Sequence, residues 1–243
     1  LEKAFPIART LIIIPAYHEE EKIASVIQGV RDYLPAAEIL IVDDGSRDDT
    51  RQKAETEGAK VVSHPFNLGY GAALQTGYQY ALRMGYEATV QIDGDGQHDP
   101  SFVPDLLAVI RKEEADVAIG SRFLKGETEF DPSVYRPPLT RKWGMQLFRA
   151  ITSFLIHQKV TDSTSGYQAM NRKALRWVAG DQFPVDYPDA DVIIMLHRAG
   201  FRIKEVPVRM FESRDKKSMH SGWKPFYYVF KMFLSIGVTL LRK

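Results

Sequence analysis

Short apolar runs alternate with amphipathic stretches through the first half of the chain. Thr10–Pro15 reads T-L-I-I-I-P, Ile39–Val42 reads I-L-I-V, and Thr89–Ile92 and Val117–Gly120 repeat the pattern, with a weaker run at Val61–Ser63. Between them lie helical candidates at Glu20–Tyr33, Asp49–Glu57, Gly71–Met84 and Ser101–Lys112. Continuously apolar strands separated by helices predict a parallel sheet covered on both faces, an α/β fold of the doubly wound kind. From Lys125 the pattern loosens. Gly126–Arg141 contains Pro132, Pro137 and Pro138 and reads as a long loop, which in a compact domain suggests a lid. Lys142–His157 reads as a helix, Asp162–Met170 as polar then apolar, Asp189–Ala199 as a helix and Phe201–Val208 as a strand.

The end of the chain follows a different rule. Phe226–Leu241 is a largely apolar run broken by one charge, and Phe226, Val229, Phe230, Phe233, Gly237 and Leu241 share a helical stripe. At about 1.5 Å per residue such a helix spans roughly 24 Å, short of the ~30 Å hydrocarbon core of a bilayer. It therefore predicts an amphipathic helical extension lying in a membrane interface, with Trp223, Tyr227 and Tyr228 at headgroup level. The expected organisation is one α/β domain over 1–211, followed by a basic segment and interfacial helix over 212–243.

Charge sharpens that division. The chain carries 32 Lys/Arg and 31 Asp/Glu, which gives no support to a nucleic-acid partner. Yet from Arg202 to Lys243 there are ten Lys/Arg against three Asp/Glu, so the body is acidic and the end basic. The basic end suits an anionic lipid surface. The first residues are charged rather than forming the apolar run of a secretory leader. With no cysteine in its 243 residues, the chain has no thiolate metal site and no cysteine nucleophile.

In a doubly wound sheet, ligands sit beyond the carboxyl ends of the strands. Those ends are polar here: Ala16-Tyr17-His18-Glu19-Glu20, Asp43-Asp44-Gly45-Ser46, Asp93-Gly94-Asp95-Gly96-Gln97-His98 and Gly120-Ser121-Arg122. Asp93 and Asp95, one residue apart on a glycine-loosened turn, can face one hard cation. Mg²⁺ or Mn²⁺ favours oxygen ligands and shares them with substrate phosphates. Asp44 is placed to accept from a base or a ribose hydroxyl, whereas Ser46 and Asp48 read as caps of the next helix. Asn67-Leu68-Gly69-Tyr70-Gly71 has neither the Lys-Ser/Thr of a P-loop nor the G-x-G-x-x-G of a dinucleotide site.

Taken in order, Pro15-Ala16-Tyr17-x-Glu19, Asp43-Asp44-Gly45-Ser46, Asn67-x-Gly69, Asp93-x-Asp95-Gly-Gln97-His98, Gly120-Ser121-Arg122, Thr164-Ser165-Gly166-Tyr167 and Glu205-Val206-Pro207 resemble the family 2 glycosyltransferases. The set is most similar to the dolichol-phosphate mannose synthase branch, the polyprenyl-phosphate glycosyltransferases, over about residues 8–225. The resemblance implies a glycosyltransferase A-type fold, Rossmann-like with a mostly parallel sheet flanked by helices, a nucleotide-diphosphate-sugar donor, a lipid-linked phosphate acceptor and inversion at the anomeric carbon. It implies that Pro15, Tyr17, Glu19, Asp44 and Asp93 line the nucleotide. Asp93, Asp95 and Gln97 would then hold Mg²⁺ or Mn²⁺, with Arg122 stabilising the leaving diphosphate. Arg136 and Arg141 of the lid, Ser165, and the cluster Arg214, Lys216, Ser218 and His220 would hold acceptor or donor phosphates.

Three positions depart from the family pattern. His18 stands where Asn is usual, Lys217 replaces the Gly of an R-x-x-G-x-S segment, and E-D-x-D-L becomes Pro188-Asp189-Ala190-Asp191-Val192. Asp189 keeps the position of the catalytic base, and Asp191 reads as a cap or partner within its helix. A phosphate acceptor, with a second pKa of about 6, needs no strong base. Transfer to a saccharide hydroxyl is the alternative acceptor chemistry, a nucleotidyltransferase a more distant one, and a nucleotide-sugar-binding module with an inactive site the non-enzymatic one. The expected location is the cytoplasmic face of a membrane, peripheral or anchored by segments of a longer form, and a homodimer is left open.

Overall fold

The computed structural model describes residues 9–124, 139–184, 188–211, 233–239 and 241, and side chains within these except those of 139–143. Strands β1 (Thr10–Ala16), β2 (Glu38–Asp43), β3 (Lys60–Ser63), β4 (Ala88–Gln91), β5 (Val117–Ser121), β6 (Gln168–Asn171) and β7 (Ile203–Pro207) form one sheet in the order β3-β2-β1-β4-β6-β5-β7. All neighbours are parallel except β6, which runs antiparallel to both β4 and β5. Helices α1 (Ile23–Tyr33), α2 (Thr50–Thr56), α3 (Tyr70–Arg83), α4 (Val103–Arg111), α5 (Leu139–Leu155), α6 (Arg172–Val178) and α7 (Ala190–Arg198) connect the strands or follow them.

Strand β1 shows why both faces are covered. Successive strand side chains point to opposite faces. Leu11 and Ile13 join one core with α3, α5, α6 and α7, while Ile12 and Ile14 join a second core with α1 and α4. Each of the four is fully buried, stabilising the fold by roughly 1.5–3 kcal/mol apiece. Helix α3 lies close against β1: a Cβ on Gly77 would stand 2.5 Å from Ile13 Cγ2. Only a residue without a side chain lets the helix start at the sheet's edge and still pack there.

Two sequence expectations need correction. Helix α5 begins at Leu139, so Arg141 belongs to its first turn rather than to a loop extending to that residue. The stretch from Asp162 to Met170, read as polar then apolar, leads into β6, the antiparallel strand of the mostly parallel sheet, and α6, which the sequence pattern did not predict, follows it at once. Arg136 and Arg214, Lys216, Lys217, Ser218 and His220 lie outside the described residues, as does 212–232 of the C-terminal stretch.

What is described of the C-terminal extension is helical over 233–239. It packs inward through Ile236, which joins the core of α3 and α7, and through buried Thr239, whose carbonyl accepts from Arg198. Phe233, Leu234, Val238 and Leu241 remain exposed. Among the described residues no helix is long and apolar enough to cross a membrane.

Candidate active site

The carboxyl ends of β1, β2, β4 and β5 open on one edge of the sheet. Because β6 is antiparallel, its beginning lies at that same edge, with Gln168 opposite both Gln91 and Ile119. The preceding Thr164-Ser165-Gly166-Tyr167 turn is thereby delivered beside Asp93. A Cβ on Gly166 would lie 3.5 Å from Asp93 Oδ1 and 2.8 Å from the Tyr70 hydroxyl, which accounts for glycine there. Buried Ser165 shapes this turn, its Oγ accepting from Tyr167 N and its carbonyl from Gln168 Nε2.

The loops after β1 and β2 are sewn together. His18 N donates to Ser46 Oγ at 3.0 Å and Glu19 N to Thr50 Oγ1 at 2.8 Å. The capping position of α2 is Asp49 rather than Ser46 or Asp48: Asp48 accepts from Thr50 N from one residue further out, and Ser46 serves the β1 loop. Pro15 is buried in β1, Tyr17 is exposed with its ring against the half-exposed His18, and Glu19 pairs with Lys22 at 3.5 Å. Tyr17, His18, Asp43, Arg47, Phe66 and Asn67 line an open cavity of about 900 Å³ beyond β2 and β3.

Asp44 is buried and fully engaged. Its Oδ1 accepts from Leu68 N at 2.8 Å and meets His64 Nδ1 at 2.7 Å, and its Oδ2 accepts from Gly69 N at 2.9 Å. The Asp-Asp-Gly-Ser and Asn-x-Gly motifs are thus halves of one structure. Gly45, at φ +77°, completes it by approaching the Phe66 and Asn67 backbone so closely that a Cβ would stand 2.6 Å from a carbonyl carbon. A base or ribose hydroxyl would have to share an Asp44 oxygen already in use.

Asp93 and Asp95 follow β4 on the turn that the sequence singles out. Among the described residues neither forms an ion pair with Lys or Arg. Burial pushes the Asp93 carboxyl up from its ordinary range, against the Tyr70 hydrogen bond and the Arg122 charge that pull it down. Burial, then the neighbouring Asp93 charge, raises Asp95. Gln97 turns its amide nitrogen to Asp95 Oδ2 and its backbone N–H to Oδ1 at 3.0 Å, so it steadies Asp95. Buried His98 stacks on Tyr167 at 4.7 Å and accepts from Asp93 N. Its pKa falls to about 4, chiefly through burial, so the ring is neutral.

Arg122 emerges from β5 into a two-point pair with Asp162, Nε–Oδ2 at 2.6 Å and Nη2–Oδ1 at 2.7 Å, with Nη2 also donating to Thr164 Oγ1. Glu205 stands behind that pair. It accepts from Thr161 N and Asp162 N at 2.8–2.9 Å. The Gly-Ser-Arg and Glu-Val-Pro motifs are therefore joined through Asp162, which the sequence reading did not single out. Arg122 acts on Asp93 as a nearby charge.

Asp189 precedes α7, near enough to Tyr70 for its charge to bear on that hydroxyl. Asp191 is fully buried: Oδ1 accepts from Asp189 N and Val192 N, and Oδ2 from Ser235 Oγ on the C-terminal helix. It holds the start of its own helix, as the sequence suggests, and also ties that start to 233–239. Sequence reasoning missed Tyr70, Gln91 and Asp162. Gln91, an amide inside an apolar strand, was the available signal.

Among the described residues no three His, Asp or Glu side chains converge as a metal site. Two carboxylates raised by burial, Asp95 also by the charge of Asp93, and in no ion pair with Lys or Arg among the described residues, fit a cation whose remaining positions come from a diphosphate.

Comparison with known proteins bears on the family and the fold. The model of the family "Glycosyl transferase family 2" matches residues 11–178. An undecaprenyl-phosphate mannosyltransferase of Micrococcus luteus is 33% identical over 88% of this chain and 88% of its own. A polyprenol monophosphomannose synthase of Mycolicibacterium smegmatis is 33% identical over 89% of this chain and 83% of its own. A UDP-N-acetylglucosamine–dolichyl-phosphate N-acetylglucosaminyltransferase of Methanococcus voltae is 30% identical over 94% and 97%. Among solved structures, glucosyl-3-phosphoglycerate synthase of Mycobacterium tuberculosis with Mn²⁺ and UDP-glucose superposes with TM-score 0.68 at 24% identity, over 94% of this chain and 79% of that one. At that identity the likeness establishes the fold.

The raised carboxyls give a prediction about stability. A group whose pKa is higher folded than unfolded binds its proton more readily in the native state, so its cost to the fold grows as pH rises past the unfolded value and is complete above the folded one. Asp93→Asn keeps an oxygen for Tyr70 and removes the charge. Its melting temperature without metal at pH 7 should exceed the wild type's by a few degrees, roughly 2–4 °C per kcal/mol for this size. The gap should close as pH falls through the raised carboxyl range. Differential scanning calorimetry across pH decides this, and an Asp93→Asn protein that melts lower at pH 7 refutes it.

Proposed function

Since the chain belongs to glycosyltransferase family 2, we propose that it transfers a sugar from a nucleotide-diphosphate-sugar to a polyprenyl phosphate at a membrane surface, with inversion. The observation that carries this is the pair Asp93 and Asp95 at the strand edge, in a chain matched nearly end to end by polyprenyl-phosphate sugar transferases. In the reaction a phosphate oxygen of the acceptor attacks the anomeric carbon. The bond from that carbon to the donor diphosphate breaks on the opposite face, and the nucleoside diphosphate leaves with the electron pair.

Each residue has a role in this reading. The cavity at Tyr17 and Phe66 receives the base, and Pro15, Glu19 and Asp44 complete the nucleotide site. Asp93 and Asp95, with Asp95 steadied by Gln97, hold Mg²⁺ or Mn²⁺, which when bound neutralises charge building on the leaving diphosphate. Arg122, fixed by Asp162, adds a positive field to the same place. Ser165 sets the turn beside Asp93. Arg136, Arg141, Arg214, Lys216, Ser218 and His220 bind phosphates from the acceptor side. Asp189 lies at that side as a base where the acceptor needs one. The exposed Phe233, Leu234, Val238 and Leu241 form the membrane-facing surface of the C-terminal helix.

The direct test supplies undecaprenyl phosphate with labelled GDP-mannose, UDP-glucose or UDP-N-acetylglucosamine and follows label into lipid. One donor should give product with Mn²⁺ or Mg²⁺, and EDTA should abolish it. Asp95→Ala should lower turnover about a hundredfold or more while the protein stays folded. Undiminished transfer in EDTA rules out the metal.

The base offers a second, sharper comparison. With polyprenyl phosphate, Asp189→Asn should reduce kcat less than about tenfold, because that acceptor is already anionic. With a saccharide hydroxyl the loss should reach 10²–10⁴-fold. Abolition of transfer to phosphate would favour the hydroxyl-acceptor chemistry.

Membrane attachment is measured by flotation. The wild type should float with anionic vesicles, and Leu234→Asp/Val238→Asp should bind them at least tenfold more weakly while its core is undisturbed. Equal flotation of both proteins, or of neither, removes the helix from the membrane surface.

A further inference from the structure

Asp93 is fixed from behind by a chain of three side chains. Gln91 stands two residues earlier, and alternate strand positions share a face. The Tyr78 hydroxyl donates to Gln91 Oε1, Gln91 Nε2 donates to the Tyr70 hydroxyl, and the Tyr70 hydroxyl donates to Asp93 Oδ1, each at 2.7 Å. The order of donors has one solution. A phenol has a single proton, and an ionised carboxylate can only accept. Tyr70 must therefore give its proton to Asp93 and accept from the Gln91 amide. That turns the Gln91 oxygen away, toward Tyr78. Both Gln91 and Tyr78 are buried, and Gly166 closes a further side, since a Cβ there would stand 3.1 Å from Gln91 Nε2. Asp93 Oδ2 lies 3.5 Å from His98 Nε2, beyond a normal hydrogen bond.

We propose that Tyr70 is a positioning residue: with Gln91 and Tyr78 behind it, it occupies Oδ1 of Asp93 and sets the carboxylate so that Oδ2 faces a divalent cation and nucleoside diphosphate. The inference rests on Asp93 belonging to the donor site. It assigns a task to a tyrosine at the start of α3 and to an amide inside β4. It also explains why the turn before β6 carries glycine. A buried partner that fixes one oxygen of a ligating carboxylate acts as outer partners of metal ligands generally do, and removing such a partner typically costs 10–100-fold in metal affinity.

The experiment is a calorimetric titration of Mn²⁺ in the presence of GDP, and separately of UDP, with melting temperatures recorded alongside. Tyr70→Phe should weaken Mn²⁺ binding ten- to a hundredfold. Tyr78→Phe, at the far end of the chain of bonds, should weaken it less, and combining the two should add nothing to Tyr70→Phe, because one acts through the other. Lower melting temperatures with unchanged Mn²⁺ affinity in both single variants overturn the proposal, as does full additivity. Asp93→Asn in the same titration separates the two levels. If it binds Mn²⁺ as well as wild type, the donor-site reading of Asp93 fails and the inference with it. If it loses Mn²⁺ while Tyr70→Phe retains it, the inference alone fails.

Discussion

Two carboxylates held close together at the mouth of a sheet whose strands are apolar repel one another, and burial raises both above their ordinary range. Much of the surrounding structure bears on that constraint. Asp93 accepts from Tyr70, Asp95 accepts twice from Gln97, and Arg122 is near enough for its charge to favour an ionised Asp93. None of these contacts neutralises the pair. A bidentate salt bridge from Arg122 to Asp93 would stabilise the metal-free protein more, but Asp162 takes that guanidinium instead. The arrangement keeps negative charge available for a cation at some cost to the fold, as sites that bind or react commonly do.

The motifs are also connected in a way their order along the chain conceals. Asp44 of one motif holds the backbone of the next, through Leu68 and Gly69. Glu205, near the end of the sheet, holds Thr161 and Asp162, and Asp162 holds Arg122. After β7 the chain returns over the same turn: Arg209 pairs with Asp99, and Phe211 N donates to the Gln97 carbonyl. Tyr167 reaches the Asp99 carbonyl from the other side. The glycine-rich turn of Asp93 and Asp95 is thus clasped by distant segments. That clasp lets a loop hold a carboxylate geometry that its own glycines would leave free.

The central strands were legible because burial on both faces writes an unbroken apolar run, as in T-L-I-I-I-P of β1 and I-L-I-V of β2. Helices α1 to α5 and α7 were legible within a few residues from the apolar positions they bury, whereas α6, seven residues directly after β6, was not. Strand β6 was not. It is four residues long, and its apolar part, Ala169 and Met170, is bracketed by Gln168 and Asn171. Nor does anything in those residues specify that the strand runs backwards; that follows from pairing with β4 and β5, a tertiary fact. The strand-end chemistry was visible as residue types, since Asp, Arg and Tyr after an apolar run have few structural reasons to be there. Which oxygen faces which donor was not visible, because Asp44 and Arg122 find their partners 24 and 40 residues away.

Asp191 shows how far such partnerships extend. A buried carboxylate without compensation is costly, and burial raises this one. It is tolerated because Asp189 N, Val192 N and Ser235 Oγ all donate to it. Two of these donors belong to the start of α7, beside the candidate base, and the third belongs to the helix whose outer face carries Leu234 and Val238. If Ser235 moved away, Oδ2 would lose its donor within the protein interior. The C-terminal helix is therefore fastened to α7 by two polar bonds, that from Ser235 to Asp191 and that from Arg198 to the Thr239 carbonyl, as well as by Ile236. Attachment through Ile236 alone would let the helix slide or rotate at little cost, since apolar contact is not directional. The hydrogen bonds fix its rotation. That fixed rotation turns Leu234 and Val238 outward, and Asp191 links the same helix to the backbone of Asp189.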